Sequence, residues 1–425
     1  MIITLLIILF VLFISNVPIA VALGLATFIV VFLSGSVDVS TMPQRMFSAL
    51  DSFPLLAAPF FILAGKIMEH GGISEKLVHF AGSLVGHMRG GLAHVSIVTC
   101  MFFAALSGSS VATTAAIGAI LIPAMVKAGY DRNFSAAVQA AGGTTGVIIP
   151  PSVPMVLFAV TGGVSIGDLF LAGIIPGVMV GLSLMVVAYI YSALKGYKTS
   201  KQQKFSQMGR SFLDAVLALL MPVIILGGIY GGFFTATEAS VVAVVYGLLI
   251  GIFVYRKITF SVFREILLST VLMVSALSLI VASASFFGLW LTVERVPHMM
   301  GEYVSGTDMP SFIIFIMIVI VLLVIGMFME ALSAIIILTP ILLPIVTSLG
   351  MDPVQFGIVM VVTLSIGLIT PPVGMNLFVA AKVGNTRYES LIQPALPFIA
   401  VLILDVIIFI LFPQLSAGIA AMLSR

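Results

Sequence analysis

Long apolar runs follow one another along almost the whole chain, at about 2–34, 53–68, 92–126, 134–161, 169–194, 212–234, 239–255, 259–293, 311–347, 354–381 and 391–418. That pattern leaves few folds open. Hydrocarbon cannot satisfy backbone amides and carbonyls, so such runs cross a membrane only as helices or as closed barrels. The roughly ten-residue alternation of barrel strands is absent. Charged residues make up 8% of the chain, against about 25% in soluble domains. The fold class is therefore an all-α integral membrane protein. At about 20 residues per crossing, the runs predict about 10–12 transmembrane segments.

Several runs exceed one simple span. Pro18 falls within 1–34, and Gly108 and Pro123 fall within 92–126, which predicts helix pairs, breaks or hairpins there. The start, Met1-Ile-Ile-Thr4, lacks the basic segment of a cleaved leader, so the first helix is expected to be retained. Lys195, Lys198, Lys201, Lys204 and Arg210 form the densest basic group, and Arg256, Lys257 and Arg264 form another. Both loops are expected on the cytoplasmic side, and the two crossings between them keep that placement consistent. Cys100 is the only cysteine, and His70, His79, His87, His94 and His298 lack metal-ligand spacing. No disulfide, transition-metal site or cofactor is expected, and no nucleic-acid partner.

The chain also matches itself. Residues 121–158 align without a gap on 342–379, at a constant offset of 221. Pro123 meets Pro344, Gly129 meets Gly350, Asp131 meets Asp352, Gly146 meets Gly367, and Pro150-Pro151 meets Pro371-Pro372. Each copy carries a Gly-x-Asp turn, a helix, and then a Gly-to-Pro-Pro break inside an apolar segment. Two consecutive prolines remove two amide donors, so a continuous helix through either doublet is not expected. The carbonyls upstream then need protein, water or a cation. Matched interrupted segments in two halves point to a transporter's binding site.

Polar residues gather beside these breaks. Ser107-Gly-Ser-Ser-Val-Ala-Thr-Thr114 reads as the tip of a re-entrant hairpin, with hydroxyls able to hold an ion or substrate. At the same offset, Ser109 corresponds to Glu330, an ionisable residue in Gly326-Met-Phe-Met-Glu-Ala-Leu-Ser333. Such a residue within a membrane segment is a functional candidate. It could ligate Na⁺, carry a coupling proton, or accept hydrogen bonds from substrate. Thr235-Ala-Thr-Glu238 reads instead as a capping box. Asp405 fits an interhelical contact as well as a transport role. A hydrolase built on Ser109 with His87 or His94 would leave the second copy, Glu330 and both breaks without a role, so no enzyme is expected.

With these motifs in place, the sequence resembles the large membrane subunit of the tripartite ATP-independent periplasmic (TRAP) transporters, within the ion-transporter superfamily. The resemblance is near full-length. It rests on Gly108-Ser-Ser-Val-Ala-Thr113, Gly129-Tyr-Asp-Arg132, Gly146-Val-Ile-Ile-Pro-Pro-Ser152, Ser165-Ile-Gly-Asp168 with the run to Gly177, Gly231-Gly-Phe-Phe-Thr-Ala-Thr-Glu-Ala239 and Leu338-Thr-Pro-Ile-Leu-Leu-Pro344. It implies an elevator-type transporter of the bacterial inner membrane, with two inverted halves that each hold one hairpin and one broken helix. The implied partners are a small four-helix membrane subunit on a separate chain and a periplasmic substrate-binding protein. The implied cargo is an organic acid moved with Na⁺, sialic acid ahead of a C4-dicarboxylate.

Mapped onto this chain, the resemblance puts hairpin tips at Ser107–Ser110 and Gly326–Ser333, and breaks at Thr144–Pro151 and Gly367–Pro372. Substrate contacts are expected from Ser109, Ser110, Ser152, Glu330 and Asn376. Sodium ligands are expected among Ser107, Gly108, Thr144, Thr145, Gly146, Gly326, Ser333, Gly367 and Thr370. The expected organisation is scaffold and arm helices over 1–90, one transport half over 91–165, scaffold over 166–310, the second half over 311–385, and a scaffold helix over 386–425. A Na⁺/H⁺ antiporter or other ion-coupled transporter working without a binding protein is the alternative reading.

Overall fold

The structure is a computed structural model that describes residues 1–197, 205–305 and 309–418. Lys198, Lys201 and Lys204 of the basic loop lie outside the described residues. Among those described there are helices and no strand. Five helices lead in: α1 (Ile2–Ile14), α2 (Ile19–Ser34), α3 (Thr41–Leu50), α4 (Ala57–His70) and α5 (Ser74–Val85). The first hairpin is α6 (Gly91–Ser107) and α7 (Ser110–Lys127), and the first broken helix is α8 (Arg132–Gly143) with α9 (Val153–Gly162). Then come α10 (Ile166–Lys195), α11 (Phe205–Tyr230), α12 (Ala236–Leu249), α13 (Phe260–Val293) and α14 (Val296–Ser305). The second hairpin is α15 (Ser311–Phe328) and α16 (Ala331–Ser348), and the second broken helix is α17 (Pro353–Gly367) with α18 (Met375–Gly384). The described chain closes with α19 (Glu389–Leu411) and the short α20 (Pro413–Ser416).

The offset of 221 residues governs far more than the 38 aligned positions. It carries α7 onto 331–348, the bounds of α16, and α6 onto 312–328, within one residue of α15. It also carries α5 onto 295–306, where α14 lies, and α10 onto 387–416, which contains α19. The two copies are inverted. Where α8 begins, Arg132 Nη1 donates to the Gly384 carbonyl at 2.9 Å, at the end of α18. Where α17 begins, the Phe356 ring stands 6.1 Å from Phe158, near the end of α9. The broken helices thus run antiparallel. They are also exchanged: α18 packs on α7 of the other copy, and α9 packs on α16.

By length and apolarity, eight described helices can cross a membrane, or nine with the pair Thr41–Leu50 and Pro54–His70, bent by 60°. Six shorter apolar helices of 10–17 residues accompany them, among them α6, α9, α17 and α18 of the hairpins and breaks. Pro18 separates α1 from α2 as expected. Pro123 differs from the expectation: it lies inside α7, as Pro344 lies inside α16. One missing amide is tolerated within a packed membrane helix, so the run 92–126 breaks once, at Gly108, whose φ is +59°.

Local chemistry explains the helix ends. Asp131 and Asp352 cap α8 and α17 through bonds to Phe134 N and to Val354 N and Gln355 N. Gly129 and Gly350 turn the chain ahead of them at φ +89° and +87°. Thr235 and Glu238 form the capping box of α12. Asp405 accepts a hydrogen bond of 2.8 Å from Ser183, joining α19 to α10. Both acidic residues therefore have structural work.

Two predictions follow from these contacts. Thr235→Ala is expected to cost about 1 kcal/mol of stability, read as a lower unfolding temperature of the purified protein, with transport retained. A Cβ on Gly367 would come within 2.4–2.7 Å of the Gly326 backbone, and overpacking of this kind costs about 1–3 kcal/mol. Gly367→Ala should lower the unfolding temperature clearly, whereas Gly167→Ala, whose added atom meets its first neighbour at 3.5 Å, should leave it near the wild-type value.

Candidate functional site

The two hairpin tips meet at one cleft. Ser107, Gly108, Ser109 and Ser110 line it from the first tip, and Glu330, Ala331 and Leu332 from the second. Its volume is about 70 Å³, room for about five waters at roughly 10–15 Å³ each. Ser109 and Glu330 occupy the same place in their repeats: each is the residue before the first turn of its hairpin's second helix. Ser109 caps its helix by accepting from Ala112 N. Glu330 makes no side-chain cap bond, so its carboxylate is left for the cleft.

Behind the first tip, hydroxyls and carbonyls crowd together. Ser107 Oγ and Thr113 Oγ1 are 2.9 Å apart, and Thr113 Oγ1 donates to the Ser109 carbonyl at 2.7 Å. Gly146, in the first break, lies so close that a Cβ there would stand 2.6 Å from Ser109 O and 2.7 Å from Thr113 Oγ1. The second break and the second hairpin meet backbone to backbone at Gly326 and Gly367. Only glycine allows two backbones to approach this closely.

Several carbonyls freed by the prolines already have partners within the chain. The Ser152 hydroxyl donates to Val147 O at 2.5 Å. Thr370 N reaches Gly367 O at 3.0 Å, and Asn376 N reaches Leu368 O at 2.9 Å. The hydroxyls of Thr144 and Thr145 donate to Ala141 O and Gly142 O, and that of Thr370 to Ile366 O. These threonines keep lone pairs, yet their protons belong to their own helices. Ser333 is buried in the first turn of α16.

Asn376 is the link between copies. It is fully buried, and its Nδ2 donates to Ser110 Oγ at 2.7 Å and to Ala140 O at 3.2 Å. Ser110 Oγ donates in turn to Gly143 O at 2.9 Å. The Oδ1 of Asn376 is buried without a partner, and an unpaired buried acceptor invites a donor or a cation. The atoms gathered here are oxygens of hydroxyls, carbonyls and one amide. Such a set suits a hard cation held by oxygen alone, so the residues fit Na⁺. No group of three His, Cys, Asp or Glu side chains able to hold a metal occurs among the described residues.

Of the expected substrate residues, Ser109, Ser110 and Glu330 reach the cleft. Ser152 is fully buried in the cap of α9, and Asn376 stands behind Ser110. Of the expected sodium residues, Ser107 and Gly108 line the cleft. Gly146, Gly326 and Gly367 mark where tips and breaks touch.

Sequence reasoning missed the opposite wall. Ile62, Gly65, Lys66 and Glu69 of α4 face the tips. Gly65 lies against the Ser107 carbonyl, where a Cβ would come within 2.7 Å. The available signal was two ionisable residues at the end of the apolar run 53–68. A second cleft of about 480 Å³ lies between α3, α9, α13 and α16, with Arg45, Ser48, Ser285 and Thr292 on its walls. Leu55, Ala58, Leu157 and Leu277 enclose a gap of only about 20 Å³. That gap shares Ile62 with the first cleft and Val281 with the second.

Comparison with known proteins agrees with this architecture. Residues 6–415 match the family model described as the tripartite ATP-independent periplasmic transporter, DctM component. The isethionate TRAP transporter permease protein DctMQ of Oleidesulfovibrio alaskensis is 46% identical over 401 residues, covering 94% of this chain. The chain spans 63% of that relative's length. The C4-dicarboxylate TRAP transporter large permease protein DctM of Pseudomonas aeruginosa is 42% identical, covering 93% of this chain and 92% of its own. The crystal structure of the Alcanivorax borkumensis YdaH transporter superposes with a TM-score of 0.67 at 15% identity, over 89% of this chain and 88% of that one, a likeness of fold alone. The chain belongs to the DctM family, the large inner-membrane permease component of tripartite ATP-independent periplasmic transporters.

Proposed function

We propose that this permease imports a small organic anion together with Na⁺ by an elevator mechanism, receiving its cargo from a periplasmic binding protein and working with a small membrane subunit. The observation that carries the reading is the meeting of both hairpin tips at one cleft, backed by the unpaired Asn376 Oδ1 and the oxygens of Ser107, Ser109 and Thr113. Sodium bound among these oxygens joins the tip to the break. It thereby favours the arrangement in which Ser109, Ser110 and Glu330 face the substrate. A cation shifts that equilibrium only through its differential affinity for the two arrangements. Oxygens contributed by separate elements supply such a difference. Bound Na⁺ also offsets the repulsion between Glu330 and an anionic cargo.

The narrow gap of about 20 Å³ enclosed by Leu55, Ala58, Leu157 and Leu277 between the two clefts supports access to one side at a time. Basic residues at Lys195, Arg210, Arg256 and Lys257 favour their end of the molecule as cytoplasmic. For cargo, isethionate and a C4-dicarboxylate are the first choices, since relatives named for them are 46% and 42% identical. Sialic acid, favoured from the sequence alone, stays on the panel behind them.

The test is uptake of these three acids into proteoliposomes holding the permease and its small subunit, with and without the binding protein and an inward Na⁺ gradient. Uptake of one acid that needs both is the expected result. Ser109→Ala and Glu330→Ala should each lower it at least about tenfold, the loss of roughly 1.4 kcal/mol of interaction. Uptake and Na⁺ dependence untouched in both variants would overturn the site. Proton-coupled Na⁺ flux with no uptake of any acid would favour an antiporter.

A further inference from the structure

Lys66 belongs to neither hairpin and neither broken helix. It lies on α4, one turn before that helix ends at His70, and lines the cleft opposite both tips. Among the described residues lining the cleft it is the only cation, and it shares the cleft with two carboxylates, Glu69 beside it on α4 and Glu330 at the second tip. It takes part in no ion pair within 4 Å among the described residues, where His298–Glu302 is the pair formed. An ammonium group within an apolar span is costly enough to require a role. Glu69 lies three residues on, a neighbour on the same helix face, so it eases that cost.

We infer that Lys66 is the anion-recognition residue of the α4 wall, holding the carboxylate or sulfonate of the cargo between its ammonium and the N-terminus of α7. The inference rests on the organic-anion reading above. Two further observations support it. Ser110, Val111 and Ala112, the first turn of α7, line the same cleft, and amides at a helix N-terminus favour an anion. Gly65 lets the α4 backbone lie against the Ser107 carbonyl, which fixes the neighbouring Lys66 in register with the tip. An ammonium and a helix start on facing walls bracket an acid group. Glu330, at the second tip, then faces the polar remainder of the cargo. A lysine that merely carried its charge out to the headgroups would take no part in binding.

The test is thermal stabilisation of the purified permease with its small subunit, titrated in saturating Na⁺ with isethionate, succinate and sialic acid. Lys66→Gln and the similarly shaped Lys66→Met should raise the half-saturating concentration of the stabilising acid at least about tenfold. Lys66→Arg should stay within a few fold of wild type, and Na⁺-induced stabilisation without acid should be unchanged in all three. Wild-type affinity in Lys66→Gln or Lys66→Met would overturn the assignment, as would a loss in Lys66→Arg equal to that in Lys66→Gln. Wild-type protein that no acid stabilises would overturn the organic-anion reading and this inference with it.

Discussion

A peptide carbonyl inside a membrane needs a partner, and the two Pro-Pro doublets leave four amide donors missing from the broken helices. Much of the interior architecture is the repair of that deficit. Ser152 serves Val147 O, Thr370 N serves Gly367 O, Asn376 N serves Leu368 O, and the Tyr388 hydroxyl serves Pro372 O at 2.9 Å. Each hairpin then covers a break, and glycines at 146, 326 and 367 let the covering backbone come close enough to exclude lipid. An unsatisfied polar group in hydrocarbon would cost several kcal/mol, so hairpin and break depend on each other. Neither is a stable membrane element alone.

The repeat makes the backbone symmetric while leaving the chemistry unequal. Ser109 and Glu330 hold the same position at the two tips, yet one spends its oxygen on a helix cap and the other does not. Behind the first tip lie the Ser107–Thr113 hydroxyl pair and the Asn376–Ser110 bond; behind the second, Gly326 and Gly367 meet as bare backbone. Two equivalent halves suit a molecule with two comparable arrangements. On the reading proposed above, unequal tips let ion and substrate occupy different places within them. The Asn376–Ser110 bond runs from one copy to the other and joins the first tip to the second broken helix.

Much of this was legible in the sequence because it is written in residues with strict backbone requirements. The prolines, glycines and capping aspartates of 121–158 and 342–379 located breaks, turns and tips, and the capping box at Thr235 and Glu238 was plain from spacing. Pro123 misled because a lone proline is a weaker signal than a doublet: α7 continues through it. The exchange of α9 and α18 between copies had no local signature. Lys66 and Glu69 were hidden for the same reason. They sit at the end of an ordinary apolar run, about 40 residues before the tip they face, and only packing of α4 on the hairpin brings them to the cleft. The Asp405 partner, Ser183, is 222 residues away in sequence.

The distribution of polar contacts argues for where the molecule can slide. Asp131 N donates to the Tyr197 hydroxyl just beyond α10 at 3.0 Å, Gln355 donates to Phe409 O in α19 at 3.0 Å, and Ser183 ties α10 to α19. Directional bonds of this kind tie α10 and α19, which the family resemblance places with the scaffold, to the two broken helices. The α4 and α13 wall faces α9 differently, across a small gap lined mostly by apolar residues, Ala58, Ile62, Leu157, Leu277 and Val281, with Ser278. Dispersion contacts between apolar side chains are individually small and lack fixed direction. On the elevator reading proposed above, one such set can replace another as the two parts shift past each other. A cleft of about 70 Å³ against that wall is too small to enclose an organic acid, and pockets that do so span about 300–1,000 Å³. In the elevator mechanism proposed above, displacement along this seam is the movement that would open the tips to cargo with few broken hydrogen bonds.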